Sequence, residues 1–227
     1  MASWPSGAVC CIVAAALWLL LNINVLAQTQ TQLPPSEPQG PLLPIVNPAQ
    51  QISQLTLVNQ LRKGGFVLYM RHQTTGRITE QCGVSNLTPQ GEEQARFMGE
   101  AVRALEIPIS EVWSSPACRA LDTARLLDLS NVSLTDDLAQ VAAAPSQNIE
   151  VARQRRLNIA PVNRSNTILV SHMHSGTSRR DWIHLAIGEV IVFRHMPSAN
   201  AIPVARILPR DWDSMAAAYR SPAQGAN

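Results

Sequence analysis

The chain has 227 residues, 46% of them hydrophobic and 15% charged. That balance supplies enough apolar surface for a packed domain and excludes a wholly disordered chain. The formal net charge of +2 is too small to mark a nucleic-acid-binding protein, and Lys63 is the single Lys among basic residues otherwise all Arg.

In chain order, Gly7 to Leu21 form an apolar run, and Val25-Leu26-Ala27 places small residues where a signal peptidase reads. Residues 1–27 are therefore expected to be a secretory signal peptide cut before Gln28, and the mature protein to be periplasmic or secreted. No Lys or Arg precedes the run, so an uncleaved membrane anchor is the competing reading, and the membrane is a partner only in that case. Residues 28–50 hold Pro34-Pro35, Pro38, Pro41, Pro44 and Pro48 among Gln and Thr, a composition that reads as an extended linker.

The folded domain is placed at 51–227. Ile52, Leu55, Val58 and Leu61 recur at helical spacing before a Gly64-Gly65 stop. Phe66 to Met70 is an apolar run read as a buried strand. Thr88 and Pro89 open a helix as cap and first residue, carried through Ala95, Met98, Val102 and Leu105. Glu111 to Ser114 reads as a short strand, Pro116 opens a helix to about Leu127, and Ile149 to Leu157 reads as another helix. Thr167 to Ser171 is a third buried strand, Trp182 to Ile187 closes a helix, and Val190–Phe193 and Ala201–Ile207 form a terminal strand pair. Strands alternating with helices predict an α/β three-layer sandwich with a mostly parallel central sheet.

In such sheets ligands bind beyond the carboxyl ends of the strands. Arg71-His72, Ser114-Ser115 and Ser171-His172 each sit at such an end, so three strands aim reactive groups at one region. The chemistry they suit is phosphoryl transfer. A phosphomonoester carries about two negative charges at neutral pH, which Arg71 and Arg119 can meet with planar forks. A neutral His72 can attack phosphorus and form a phosphohistidine that water then hydrolyses, while His172 stabilises charge in the transition state.

Three motifs resemble the histidine phosphatase superfamily, whose fold is phosphoglycerate-mutase-like. Arg71-His72-Gln73-Thr74-Thr75 is similar to Arg-His-Gly-x-Thr, with Gln73 in place of the usual Gly. Leu87-Thr88-Pro89-Gln90-Gly91-Glu92-Glu93-Gln94-Ala95 is similar to Leu-Thr-x-x-Gly-x-x-Gln-Ala. Ser114 to Ala124 is similar to Ser-Ser-Pro-x-x-Arg-Ala-x-x-Thr-Ala. The resemblance assigns the phosphate pocket to Arg71, His72, Arg119 and His172 and adds Thr75 as a hydrogen-bond donor to the phosphate. With two Arg and a His doing the electrostatic work, no metal or other cofactor is required. The Ile207-to-Trp212 tail is similar to a bacterial exported branch.

Two departures concern the proton donor. Many mutase-like relatives carry a Glu shortly after an Asp-x-Leu segment, and here Gln140 stands at that place. The acid-phosphatase branch has Asp after the second His, and here Met173 follows His172. Asp136 and Asp137 are the candidate donors, with helix capping or exposure the plainer role for each. His172-x-His174 is half of a metal site in form, needing His72 or His195 as well, but the missing carboxylates argue against a metal. Arg153-Arg155-Arg156 and Arg179-Arg180 read as solvated helix faces. Cys82 and Cys118, both beyond the signal, are expected to pair as a disulfide in an exported protein, with two buried thiols as the alternative.

The expected partner is a small phosphorylated substrate, with a cell-envelope sugar phosphate as one class, and no nucleic acid. Against a phosphohistidine-forming phosphatase stands a second reading, a phosphate-binding pseudo-phosphatase that has lost its proton donor.

Overall fold

The computed structural model describes residues 52–78, 85–140, 147–173 and 185–220, all within the unit Pro44–Asn227. The expected signal peptide and the whole of the expected linker, together with Cys82, His174, Arg179-Arg180, Trp182 and His184, lie outside the described residues.

Helix α1 (Gln54–Leu61) starts where the Ser53 side chain accepts the Thr56 N–H, and it buries Leu57, Val58 and Leu61. It ends into Gly64 and Gly65, at φ +76° and +93°. A Cβ at Gly64 would stand 2.2 Å from the Arg164 carbonyl oxygen, so both the backbone and the close approach require glycine there. Strand β1 (Phe66–Arg71) follows, buried up to its last residue. Its alternate side chains serve opposite faces: Phe66, Leu68 and Met70 enter one apolar cluster, Val67 and Tyr69 the other.

A hairpin, β2 (Thr75–Ile78) with β3 (Ser85–Leu87), leads to α2 (Pro89–Ala104), then β4 (Ile109–Ser114), α3 (Cys118–Leu126) and β5 (Val132–Leu134). A 3-10 turn (Asp136–Leu138), α4 (Gln147–Leu157), β6 (Asn166–Ser171), β7 (Val190–Arg194), β8 (Ile202–Ile207) and α5 (Asp211–Arg220) complete it. The six-stranded sheet runs β5-β4-β6-β1-β7-β8. It is parallel from β5 to β1 and antiparallel from β1 to β8. One face packs on α1, α2, α3 and α5, the other on Leu138, Leu157 of α4 and Leu185. The result is the expected three-layer α/β sandwich.

The parallel register positions the site. Arg71 pairs with Ser171 and Ser114 with Val170, so three adjacent strands finish level. The structure differs from the sequence reading in several elements. The β2–β3 hairpin, β5 and α5 were not legible as repeats of either period. The helix after Pro116 begins at Cys118, and Leu185–Ile187 are not helical, because they turn tightly into β7.

Candidate active site

His72 is buried, and its N–H donates to the Ser171 carbonyl at 3.0 Å. Its Nδ1 lies 2.8 Å from the Gln73 carbonyl oxygen. A carbonyl only accepts, so Nδ1 carries the proton and Nε2 is left with the lone pair. Burial pushes the His72 pKa down to about 4, against the pull of the Gln73 hydrogen bond and with help from Arg119 and Arg71. The imidazole is thus neutral at pH 7, the form a nucleophile needs.

His172 follows β6 and meets His72 edge-on, with ring centroids 5.4 Å apart. Its Nε2 is 2.8 Å from Ser115 Oγ, which also accepts the Ala117 N–H at 3.3 Å. Burial, then Arg119 and His72, then Arg153 and Arg71, hold its pKa near 3. Its Nδ1 is buried with no hydrogen-bond partner among the described residues.

The two guanidinium groups meet neutral acceptors. Arg71 donates from Nη1 to the Leu185 carbonyl at 3.0 Å and to Met173 Sδ at 3.8 Å. Arg119 donates from Nη2 to Gln140 Oε1. Neither forms an ion pair with a carboxylate among the described residues. Burial lowers the pKa of both, and the Arg71 charge lowers that of Arg119 further, so the pocket is a desolvated cationic cleft around two neutral histidines. It is suited to a dianion.

The motif residues between the four act as braces. Thr123 Oγ1 donates to the Arg119 carbonyl at 2.7 Å and accepts the Gln73 N–H at 3.1 Å, tying α3 to the loop after β1. Thr74 is clamped from α2. Its carbonyl accepts the Thr88 N–H at 3.1 Å, and its hydroxyl donates to Gln94 Oε1 at 2.8 Å. A Cβ on Gly91 would stand 2.1 Å from the Thr74 carbonyl oxygen. Thr, Gly and Gln of the second motif therefore share one task. A turn before β7 closes the other side: the Glu189 carboxylate accepts the Ala186 N–H at 2.8 Å and pairs with Arg206. From that turn the Gly188 N–H reaches the His72 carbonyl at 3.3 Å.

The remaining sequence candidates fall as follows. Thr75 begins β2 opposite Leu87, half-buried. Asp137 is held by Arg156, with Nη2 at 3.0 Å and Nε at 3.3 Å, and Arg156 also lies over the Trp113 ring, 4.3 Å from its centroid. Asp136 opens the 3-10 turn. Cys118 begins α3, with Cys82 outside the described residues. Arg153 and Arg156 do not form a solvated face. Arg153 is 4% exposed and donates to the Ala139 carbonyl at 3.0 Å, because α4 lies across the 3-10 turn. No group of three His, Cys, Asp or Glu gathers as metal ligands among the described residues.

Sequence reasoning missed Thr123, Gln94 and Glu189 as braces. The first two stood inside quoted motifs, where their fixed spacing from Arg119 and Thr88 was the available signal. Glu189 had none.

Residues 69–179 match the family model of the histidine phosphatase superfamily, branch 1. No curated protein matches the chain. Among solved structures, the protein histidine phosphatase SixA complexed with tungstate is 16% identical, covering 64% of this chain and 98% of its own, with a TM-score of 0.50. The ecdysone phosphate phosphatase from Bombix mori, also with tungstate, is 16% identical over 63% of this chain and 92% of its own, at 0.46. A mutant phosphoserine phosphatase from Entamoeba histolytica is 15% identical over 64% and 98%, at 0.41. The SixA likeness concerns the fold alone, and the family match spans Arg71, His72, Arg119 and His172 together. Residues 69–179, a little under half of the chain, thus match the histidine phosphatase superfamily.

Proposed function

We propose that this protein is a phosphomonoester hydrolase working through phospho-His72, on a small phosphorylated substrate outside the cytoplasm. The observation that carries the reading is the neutral His72, its Nδ1 proton held by Gln73 and its Nε2 free, beside Arg71, Arg119 and His172. In the first step the Nε2 lone pair attacks phosphorus, the bond to the leaving oxygen breaks, and that oxygen takes the electron pair. In the second step water attacks phosphorus, the P–N bond breaks, and its electron pair returns to Nε2 as the water proton passes to solvent. Arg71, Arg119 and His172 hold the three non-bridging oxygens throughout.

The family match over residues 69–179 supports phosphatase chemistry. SixA, the solved structure similar in fold, carries the name of a protein histidine phosphatase, which is compatible with this assignment and does not select a substrate. The apolar run at Gly7–Leu21 with its cleavage site supports export, and a Cys82–Cys118 disulfide belongs to the same reading. A small phosphorylated molecule of the cell envelope is the substrate class proposed.

The test is aryl phosphate hydrolysis by the protein beside His72→Ala, with acid-quench trapping of a labelled phosphoenzyme. Turnover with label that depends on His72 is the expected result. Vanadate binding without turnover or label would favour the phosphate-binding pseudo-phosphatase instead, a reading for which the carboxamide at Gln140 is the specific motive.

A further inference from the structure

The segment leading to Gln140 is fixed at two successive residues. The Leu138 side chain is fully buried, and its carbonyl accepts Ser171 Oγ at 2.8 Å, next to His172 in the chain. The Ala139 carbonyl accepts the buried Arg153. Gln140 is delivered by this stem onto Arg119, and its Oε1 accepts from the guanidinium. The orientation leaves the amide NH2 as a donor that has no proton to give up at neutral pH. Asp137, the nearest carboxylate earlier in the stem, is committed to Arg156.

From this we infer that Gln140 is a specificity-determining residue that restricts the enzyme to phosphates whose leaving group departs as an anion, such as aryl and acyl phosphates. The inference rests on the proposed phospho-His72 reaction. In the first step His72 Nε2 forms the P–N bond and the P–O bond breaks onto a phenolate or carboxylate, which takes a proton from water only after release. An alkoxide is too basic to leave this way, and alkyl esters turn over slowly. A positioned general acid contributes about 10²–10⁴-fold, and that is the discrimination expected between aryl and alkyl phosphates beyond their intrinsic difference with an acid-bearing relative.

The experiment measures His72 labelling rates for a graded series of aryl phosphates and for an alkyl phosphate, in the wild type, Gln140→Glu and Asp137→Asn. The wild-type rate should fall steeply as the leaving group becomes more basic. Gln140→Glu should flatten the series and raise the alkyl rate by about 10-fold or more, with the gain lost as pH rises and the new carboxyl ionises. Asp137→Asn should keep the wild-type slope. A shallow wild-type slope, a steep one that Gln140→Glu leaves untouched, or a slope changed by Asp137→Asn overturns the assignment. Failure of every substrate to label His72 is a different outcome: it removes the parent reaction and this inference with it.

Discussion

His72 and His172 meet edge-on at 5.4 Å between ring centroids, and each imidazole is kept neutral by its burial beside two arginines. Two protonated rings at that spacing inside a cationic cleft would repel strongly. The pocket therefore carries its positive charge on guanidinium groups and keeps its nucleophile uncharged.

This has a consequence for pH. An unfolded His binds a proton below about 6.5, whereas folded His72 does so near 4 and His172 near 3. Between those limits the unfolded chain holds more protons, so stability falls as pH falls. The contribution is complete above the unfolded value and is lost progressively down to the folded ones. Urea unfolding at stepped pH should show this slope between pH 6.5 and 4, and His72→Asn should remove part of it. The kcat/KM of the wild type should keep its acid limb near 4, after the substrate's own titration is divided out. A limb near 6.5 would mean that His72 is not held neutral.

Gly91 explains why the second motif contains glycine. Its Cα lies against the Thr74 backbone, where a Cβ would come within 2.1 Å of the carbonyl oxygen. Gly91→Ala should push α2 off the loop that follows His72, costing about 1–3 kcal/mol of stability. Vanadate affinity should drop with it. Calorimetric titration and urea unfolding check the two together, and an unchanged affinity would show that the clamp on Thr74 does not set the pocket.

Glu189 braces the opposite wall. It is 1% exposed, pairs with Arg206 and accepts the Ala186 N–H, and the turn it closes carries the Leu185 carbonyl to Arg71. Glu189→Gln keeps an acceptor for Ala186 but loses the charge facing Arg206. A stability loss of about 1.5–3 kcal/mol is expected, the range for hydrogen bonds to charged groups. Because the turn orients Arg71, KM should rise more than kcat falls. Equal loss in both would place the effect on the reaction step instead.

Much of the site was legible in the sequence because its residues sit at the ends of strongly apolar strands. Phe66 to Met70 and Thr167 to Ser171 are buried on both faces, so their carboxyl ends could be located without knowing their neighbours. The braces were harder. Thr123 serves two partners, one local at Arg119 and one fifty positions away at Gln73, and only the first could be guessed from helical spacing. Arg153 and Arg156 read as a solvated face because α4 has a weak apolar stripe. The structure covers Arg153 with the 3-10 turn and gives Arg156 to Asp137 and Trp113.

The alternation of strands and helices, the strand ends that carry Arg71, His72 and His172, and the helix that presents Arg119 could all be read before folding. These follow from local apolar periodicity and from short motifs, which need no knowledge of distant contacts. The antiparallel course of β7 and β8, the ion pair of Asp137 and the seat of Gln140 on Arg119 emerged from the folded arrangement. Those outcomes depend on which segments meet across the sheet and on how burial forces each polar group to find a partner. Such pairings join residues far apart in sequence, and local patterns do not reveal them.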